Sequence, residues 1–231
     1  MDFMYYILTI TLALVSSPFL LLRCLISSAF RKDFKGRLNG AKALPKLKKS
    51  LWVHACSVGE VRLAKTLINV LKEQGEKRPI VLSTFTPTGY ALAVEENLPH
   101  VFRLPIDIPL WLNPVFDQIE PSQLILIEAE LWPCLLRKCK NRKIPVLQIN
   151  GRITEKSLNS YKKFNKFFLW MIEGMTLFSM RSQLDAERLL KLGVPAEKIK
   201  VAGNIKFDTL PTGSVESKPV QLDPNSFLIV F

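Results

Sequence analysis

An apolar segment followed at once by a helix-start signal constrains the fold of this chain most. Residues 51–55 have the continuous apolar character of a buried strand. Ser57 and Glu60 then match the capping-box pattern, in front of apolar residues at helical spacing. Glu60 is therefore expected where a strand meets a helix, at the carboxyl edge of a sheet, where open α/β folds bind ligands. Two interpretations stay open for its carboxylate, half of a helix cap or a general base.

The same strand–helix unit recurs along the chain. Residues 79–85 are predicted as a second strand, and Thr86 caps the next helix with Pro87 at its first position. This alternation predicts an α/β fold with a Rossmann-like parallel sheet. The further predicted strands are 101–106, 124–129, 144–149, 176–180 and one beginning at 200–203, and the further helices are 157–175 and 183–191.

Polar residues follow several of these strands. The helix that starts at Thr86 offers amides and hydroxyls suited to a phosphate or a sugar hydroxyl, or it is an ordinary capped helix. Glu128 and Glu130 end the strand 124–129, and residues two apart on a strand point to the same face. Two carboxylates at the end of a buried strand are costly unless solvated or paired, which favours a function.

The composition limits the classes of partner that the chain is expected to bind. The chain has 231 residues, with 32 Lys and Arg against 20 Asp and Glu, so anionic partners are favoured: acidic lipid, phosphorylated substrates or nucleic acid. The basic cluster lacks interleaved aromatics and a recognisable binding motif, so nucleic acid is not expected. The four cysteines and two histidines show no metal-ligand spacing, which favours reduced thiols in the cytosol and no metal site.

A membrane anchor is predicted at the start of the chain. Residues 3–22 carry no charge and are long enough to cross a bilayer as a helix. A cleaved signal peptide is disfavoured, because Asp2 stands where Lys or Arg would be expected. Nine basic residues between 23 and 49 face only Asp33, which predicts a cytoplasmic location for the rest and contact with anionic lipid. The expected division is an anchor at 1–30, a basic juxtamembrane linker at 31–50 and a domain at 51–208.

The last part of the chain changes character. Residues 209–225 are rich in Pro, Gly, Ser and Thr, and residues 227–231 resemble the start of a strand. We therefore expect 209–231 to be a linker and the truncated start of a second domain.

Five motifs in this order resemble the Kdo transferases (3-deoxy-D-manno-octulosonic acid transferases) of lipopolysaccharide biosynthesis. The resemblance spans the chain up to residue 208, departing at Cys56 and at the segment Arg37-Leu-Asn-Gly40. The motifs are His54-Ala-Cys-Ser-Val-Gly-Glu60, Ser83-Thr-Phe-Thr-Pro-Thr-Gly89, Glu128-Ala-Glu-Leu-Trp-Pro133, Asn150-Gly-Arg-Ile153 and Gly203-Asn-Ile-Lys-Phe-Asp208.

The resemblance implies a fold and an activity. The chain would be the amino-terminal, acceptor-binding half of a membrane-associated GT-B glycosyltransferase that needs no metal or cofactor and inverts the transferred sugar. The whole enzyme would move Kdo from CMP-Kdo to the lipid A precursor. The missing carboxyl-terminal domain would hold CMP-Kdo, so this chain alone is expected to be inactive.

The resemblance also assigns roles to residues. Glu60 falls on the catalytic base, and Glu130 and Lys206 on groups that assist the transition state. The acceptor-side contacts fall on Ser57, Thr86, Thr88, Gly89 and Arg152. Two alternatives from other classes remain: a membrane-anchored acceptor-binding module without catalysis, and a basic peripheral protein that binds lipid or nucleic acid.

Overall fold

A computed structural model describes residues 2–204. Its core is a seven-stranded parallel sheet in the order β3-β2-β1-β4-β5-β6-β7. The strands are β1 (Ser50–His54), β2 (Ile80–Thr84), β3 (Val101–Arg103), β4 (Pro121–Ile127), β5 (Val146–Gly151), β6 (Met175–Met180) and β7 (Ile199–Val201).

Helices connect successive strands and cover both faces of the sheet. On β1, Leu51 and Val53 pack with α3 and α4 residues on one face, while Trp52 packs against Phe116 of α5 on the other. The helices are α1 (Asp2–Ile26), α2 (Ser28–Asn39), α3 (Val58–Glu73), α4 (Pro87–Glu95), α5 (Pro109–Ile119), α6 (Pro133–Asn141), α7 (Glu155–Lys163), α8 (Asn165–Ile172) and α9 (Gln183–Lys191).

The strand order places a switch point between β1 and β4. The chain builds β1, β2 and β3 outward in one direction, then crosses back to start β4 on the other side of β1. His54 at the end of β1 is in register with Ser83 of β2 and with Leu126 of β4. A crevice at the carboxyl ends of strands is expected at such a point, because the connections leave in opposite directions. The expected α/β fold with a Rossmann-like parallel sheet is confirmed.

Two local predictions were wrong. β4 ends at Ile127, and Glu128 lies in a turn with φ of 61°, so the same-face argument for the two glutamates does not hold. Residues 157–175 do not form one helix: α7 ends at Lys163, α8 starts at Asn165 and β6 starts at Met175. The break at Phe164 lets Phe168 on α8 be buried and stack on Tyr161 of α7, with ring centroids 4.6 Å apart.

Residues 31–50 are more ordered than a linker. α2 crosses the expected boundary at residue 30, and a 3-10 turn follows at Ala41–Ala43. Asp33 on α2 binds Arg37, 2.9 Å away, and also pairs with Arg103 at the end of β3. The Arg37 guanidinium lies 4.1 Å from the ring centroid of Phe85. Because these contacts attach α2 to the carboxyl edge of the sheet, this basic segment packs as part of the domain.

Candidate active site

Glu60 lies at the start of α3 and is held by the loop that precedes it. Its Oε2 accepts the Cys56 N–H at 2.7 Å, and its Oε1 accepts the Ser57 hydroxyl at 3.0 Å. Ser57 is the N-cap, and its Oγ accepts the Glu60 N–H at 3.5 Å. The capping pair therefore exists, although the carboxylate reaches back to Cys56 rather than to the backbone of Ser57. The helix terminus fixes where this carboxylate stands.

Glu130 follows the turn after β4 and has one partner in its own segment, Trp132, and one on β1, His54. Its Oε2 accepts the indole N–H of Trp132 at 2.9 Å and stands 3.7 Å from Nε2 of His54. Glu128 turns away in the left-handed region, and its carboxylate accepts the Asn150 amide N–H at 3.3 Å. The two glutamates are thus in different environments, and Glu130 lies on the side of β1.

The two carboxylates at the switch point ionise differently. Burial raises the pKa of Glu60 to about 7, and the nearby charges of Glu130 and Glu128 act in the same direction. Burial also opposes ionisation of Glu130, but the imidazole of His54 and the indole of Trp132 outweigh it and hold the pKa below its usual range. The site therefore combines a carboxylate that exchanges a proton near neutral pH with one that stays charged.

The start of α4 closes the same edge of the sheet. Thr86 donates its hydroxyl to the Cys56 carbonyl at 2.9 Å and accepts the Gly89 N–H at 3.1 Å. A Cβ on Gly89 would lie 2.9 Å from Thr86 Oγ1 and 3.0 Å from the Cys56 carbonyl oxygen. Thr88 is exposed on the first turn. Thr86 and Gly89 thus join α4 to the loop that carries Glu60, and Thr88 is free to meet solvent or ligand.

The remaining predicted residues are less constrained. Arg152 is exposed directly after β5, at the same carboxyl edge. Lys206 lies outside the described residues, as does the end of the motif that begins at Gly203. Within residues 2–204, no group of three or more His, Cys, Asp or Glu side chains is arranged as metal ligands.

Sequence reasoning missed two residues of this crevice, His54 and Cys56. His54 is fully buried, and its ring lies edge-on to Trp132 at a centroid distance of 6.2 Å. Cys56 borders Glu130, and burial with the charges of Glu130 and Glu60 raises the pKa of its thiol to about 12. The available signal was the alternation on β1, which puts His54 and Trp52 on one face, with Ser83 beside His54 on β2.

A family model described as 3-deoxy-D-manno-octulosonic-acid transferase (kdotransferase) matches residues 32–209. The chain belongs to this family. The match begins within α2, in agreement with the packing of that helix on the domain.

Curated proteins support the family assignment. A bifunctional glycosyltransferase/methyltransferase of Fusobacterium nucleatum is 34% identical over 68% of this chain and 25% of its own length. The 3-deoxy-D-manno-octulosonic acid transferase of Haemophilus influenzae is 32% identical over 68% of this chain and 38% of its own. That of Rickettsia bellii is 28% identical over 92% of this chain and 51% of its own. The chain thus spans from a quarter to about half of these relatives.

Solved structures show the same fold at low sequence identity. The UDP-GlcNAc 2-epimerase of Neisseria meningitidis bound to UDP-GlcNAc superposes with a TM-score of 0.51 at 12% identity, over 69% of this chain and 48% of its own. The UDP-GlcNAc 2-epimerase of Methanocaldococcus jannaschii gives a TM-score of 0.52 at 15% identity, over 67% and 45%. This Rossmann-like domain corresponds to about half of each neighbour, as expected for one half of a GT-B fold.

Proposed function

We propose that this domain binds the lipid A precursor and supplies the catalytic base for transfer of Kdo from CMP-Kdo. The observation that carries the proposal is the pair of carboxylates at the switch point. Glu60 has a pKa of about 7, and Glu130 beside it has a lowered pKa. A general base works best with a pKa near the working pH, and burial, with the neighbouring charge of Glu130 acting in the same direction, raises the pKa of Glu60 to that range.

The proposed chemistry is a single displacement with inversion at the transferred sugar. Glu60 removes the proton from the attacking acceptor hydroxyl as the oxygen–sugar bond forms. The bond from the sugar to CMP breaks, and CMP leaves with the electron pair. Glu130 stabilises positive charge that develops at the sugar, and Lys206 stabilises the leaving phosphate. None of these roles requires a metal ion.

The acceptor is proposed to lie along the carboxyl edge of the sheet. Thr88 and Arg152 are exposed there, and Thr88 lies on the first turn of α4, which follows β2. An arginine and a helix amino terminus both favour an anionic group such as the phosphate of a phosphorylated disaccharide.

Two features support a membrane-bound lipid as the acceptor. Among the helices of residues 2–204, α1 alone has a stretch, Tyr5–Ile26, long and apolar enough to cross a bilayer. An amino-terminal signal sequence would also be long and apolar enough to meet this criterion. An apolar cavity of about 530 Å³ lies between α1 and the domain, and its wall includes Trp132, whose N–H binds Glu130. We propose inner-membrane attachment through α1, with the domain in the cytoplasm and its basic residues on anionic lipid.

Two measurements test the function. The first is binding of a bisphosphorylated, acylated glucosamine disaccharide to the chain in detergent, with the dephosphorylated lipid as matched control. The second is transfer from CMP-Kdo by a fusion of this chain to the carboxyl-terminal half of the Haemophilus influenzae relative. Phosphate-dependent binding with transfer supports the proposal. Binding without transfer by a folded fusion supports an acceptor-binding module instead, and no binding contradicts both.

A further inference from the structure

A buried chain of polar side chains runs from the core of the sheet to Glu130. The indole N–H of Trp52 donates to Ser83 Oγ at 2.7 Å, and Ser83 Oγ lies 2.8 Å from Nδ1 of His54. Nε2, on the other side of the imidazole, stands 3.7 Å from Glu130 Oε2. Trp52, His54 and Ser83 are all fully buried, so solvent does not compete for these contacts.

The donors and acceptors along this chain determine where the imidazole carries its proton. An indole nitrogen only donates, so Ser83 Oγ accepts from Trp52, and among the described residues Nδ1 of His54 is the acceptor that its own buried hydrogen reaches. An ionised carboxylate only accepts, so a lone pair on Nε2 facing Glu130 would be repelled. Both arguments place the hydrogen on Nε2, directed at Glu130. Nε2 is buried and has no hydrogen-bond partner among the described residues, and Glu130 is the charged group that it faces.

We infer that His54 is a positioning residue for Glu130: Trp52 and Ser83 fix its imidazole so that Nε2–H holds the carboxylate charged and oriented toward the crevice. The distance of 3.7 Å exceeds a direct hydrogen bond, and such contacts often shorten only when substrate closes the site. Trp132 restrains the pair from the open side, because its N–H binds Glu130 while its ring meets the edge of His54.

Other ionisable groups also face Glu130. From the loop after β1, the Cys56 thiol lies near the carboxylate, and Glu60 on α3 couples to it through charge. From α7, Tyr161 lies close enough for the Glu130 charge to act on its phenol. Glu60 and Tyr161 bring no positive charge, and the thiol is a weak donor. His54 and the indole of Trp132 are therefore the groups that favour the ionised form most.

The test distinguishes the contribution of Nε2 of the imidazole from that of Nδ1. In a histidine replacement, the Gln amide reaches the position of Nε2, whereas the shorter Asn amide replaces only Nδ1. The full chain in detergent is labelled with ¹³C at the glutamate carboxyl carbons, and the signals are assigned with Glu60→Gln and Glu130→Gln. His54→Asn is expected to raise the titration midpoint of Glu130 by about one pH unit or more. His54→Gln is expected to leave it near the wild-type position.

The signal of Glu60 serves as the internal control, because an intact crevice keeps its midpoint near neutral pH. An unchanged Glu130 midpoint in a folded His54→Asn variant would overturn the inference, as would an equal rise in both variants. If His54→Asn does not fold, ¹⁵N shifts of the wild-type imidazole decide. Hydrogen on Nε2 near neutral pH supports the inference, and hydrogen on Nδ1 alone overturns it.

The inference rests on the proposed function only for what Glu130 does during transfer. The titration uses neither donor nor acceptor, so its failure is distinct from a failed transfer assay. In an active fusion, His54→Asn should lower turnover more than acceptor binding, and His54→Gln should restore most of the loss.

Discussion

The two loops that meet at the switch point hold their glutamates differently: Glu60 is held within its own loop alone, whereas Glu130 also faces His54 of β1. After β1, the carboxylate of Glu60 is bound within its own loop, by Cys56 and Ser57. After β4, the chain enters a left-handed turn at Glu128, and α6 starts at Pro133 without a side-chain cap from its N-cap residue Trp132. Asp107, from the β3–α5 connection, supplies that cap by accepting the N–H groups of Cys134 and Leu135.

This difference has a chemical consequence. A locally held carboxylate can be buried at a helix start with few positive partners, and Glu60 accordingly has a raised pKa. Glu130 has Trp132 of its own loop and His54 of β1 as partners, and these two groups hold its pKa below the usual range despite burial. The carboxylate that exchanges a proton, Glu60, and the carboxylate that stays charged, Glu130, therefore lie on loops with different contacts.

The largest expected effect comes from Glu60→Gln in the fusion enzyme. Gln keeps the size of the side chain and can accept from Cys56 while donating to Ser57. The fold should survive, while turnover should fall by about 10²–10⁴-fold because the general base is lost. Kdo transfer is measured beside thermal melting and acceptor binding. A folded variant that keeps more than about a tenth of wild-type turnover would show that Glu60 only caps its helix.

The second pair of variants tests the other loop. Glu130→Gln should lower turnover by about 10²-fold, because it removes the fixed charge next to the base. Glu128→Gln is its matched control: the amide oxygen can still accept from Asn150, and the effect should be less than about threefold. The Kdo transfer rates of the two variants show which of the two glutamates is the catalytic one. If Glu128→Gln is the more damaging, the catalytic carboxylate after β4 has been assigned to the wrong residue.

Sequence reasoning succeeded for features that neighbouring residues determine, and it failed for features that depend on contacts with distant segments. The cap at Ser57, the helix start at Thr86 and the parallel α/β sheet depend on neighbouring residues and were predicted correctly. The turn at Glu128 was wrongly predicted as strand, because its geometry depends on pairing with β5 rather than on local pattern. His54 was set aside as isolated, since its partners Ser83 and Glu130 are 29 and 76 positions away.

The join between α4 and the Glu60 loop can be tested with two glycines. A methyl group on Gly89 would lie within about 3 Å of Thr86 Oγ1 and the Cys56 carbonyl oxygen, so Gly89→Ala should destabilise the chain by about 2 kcal/mol. Gly59, on the first turn of α3, is the matched control, since a Cβ there meets only Ser57 Oγ at 4.0 Å. Gly59→Ala should be neutral or stabilising by up to about 1 kcal/mol. Urea unfolding measures both, and equal losses would contradict the proposed close packing.

The smallest effect is the pH dependence of stability, and it distinguishes the two carboxylates by sign. Because the pKa of Glu60 is about 7 in the folded chain and 4.5 in the unfolded chain, the unfolded chain loses this proton first as pH rises. Glu60 therefore lowers the free energy of unfolding progressively between about pH 4.5 and 7. Relative to wild type, Glu60→Gln should gain about 1–2 kcal/mol across this window, allowing for partial solvent access.

Glu130 should show the opposite sign in a lower window. Its folded pKa is lowered, so its contribution to stability is complete above the unfolded value of 4.5 and is lost as pH falls through the folded one. Relative to wild type, Glu130→Gln should lose stability as pH rises toward 4.5. Urea unfolding of the three proteins at matched pH values gives both differences, and the titrating groups that do not interact with either carboxylate cancel in each subtraction. Parallel curves for the two variants would mean that the loops hold their carboxylates alike, contrary to the contacts of Cys56 with Glu60 and of His54 with Glu130.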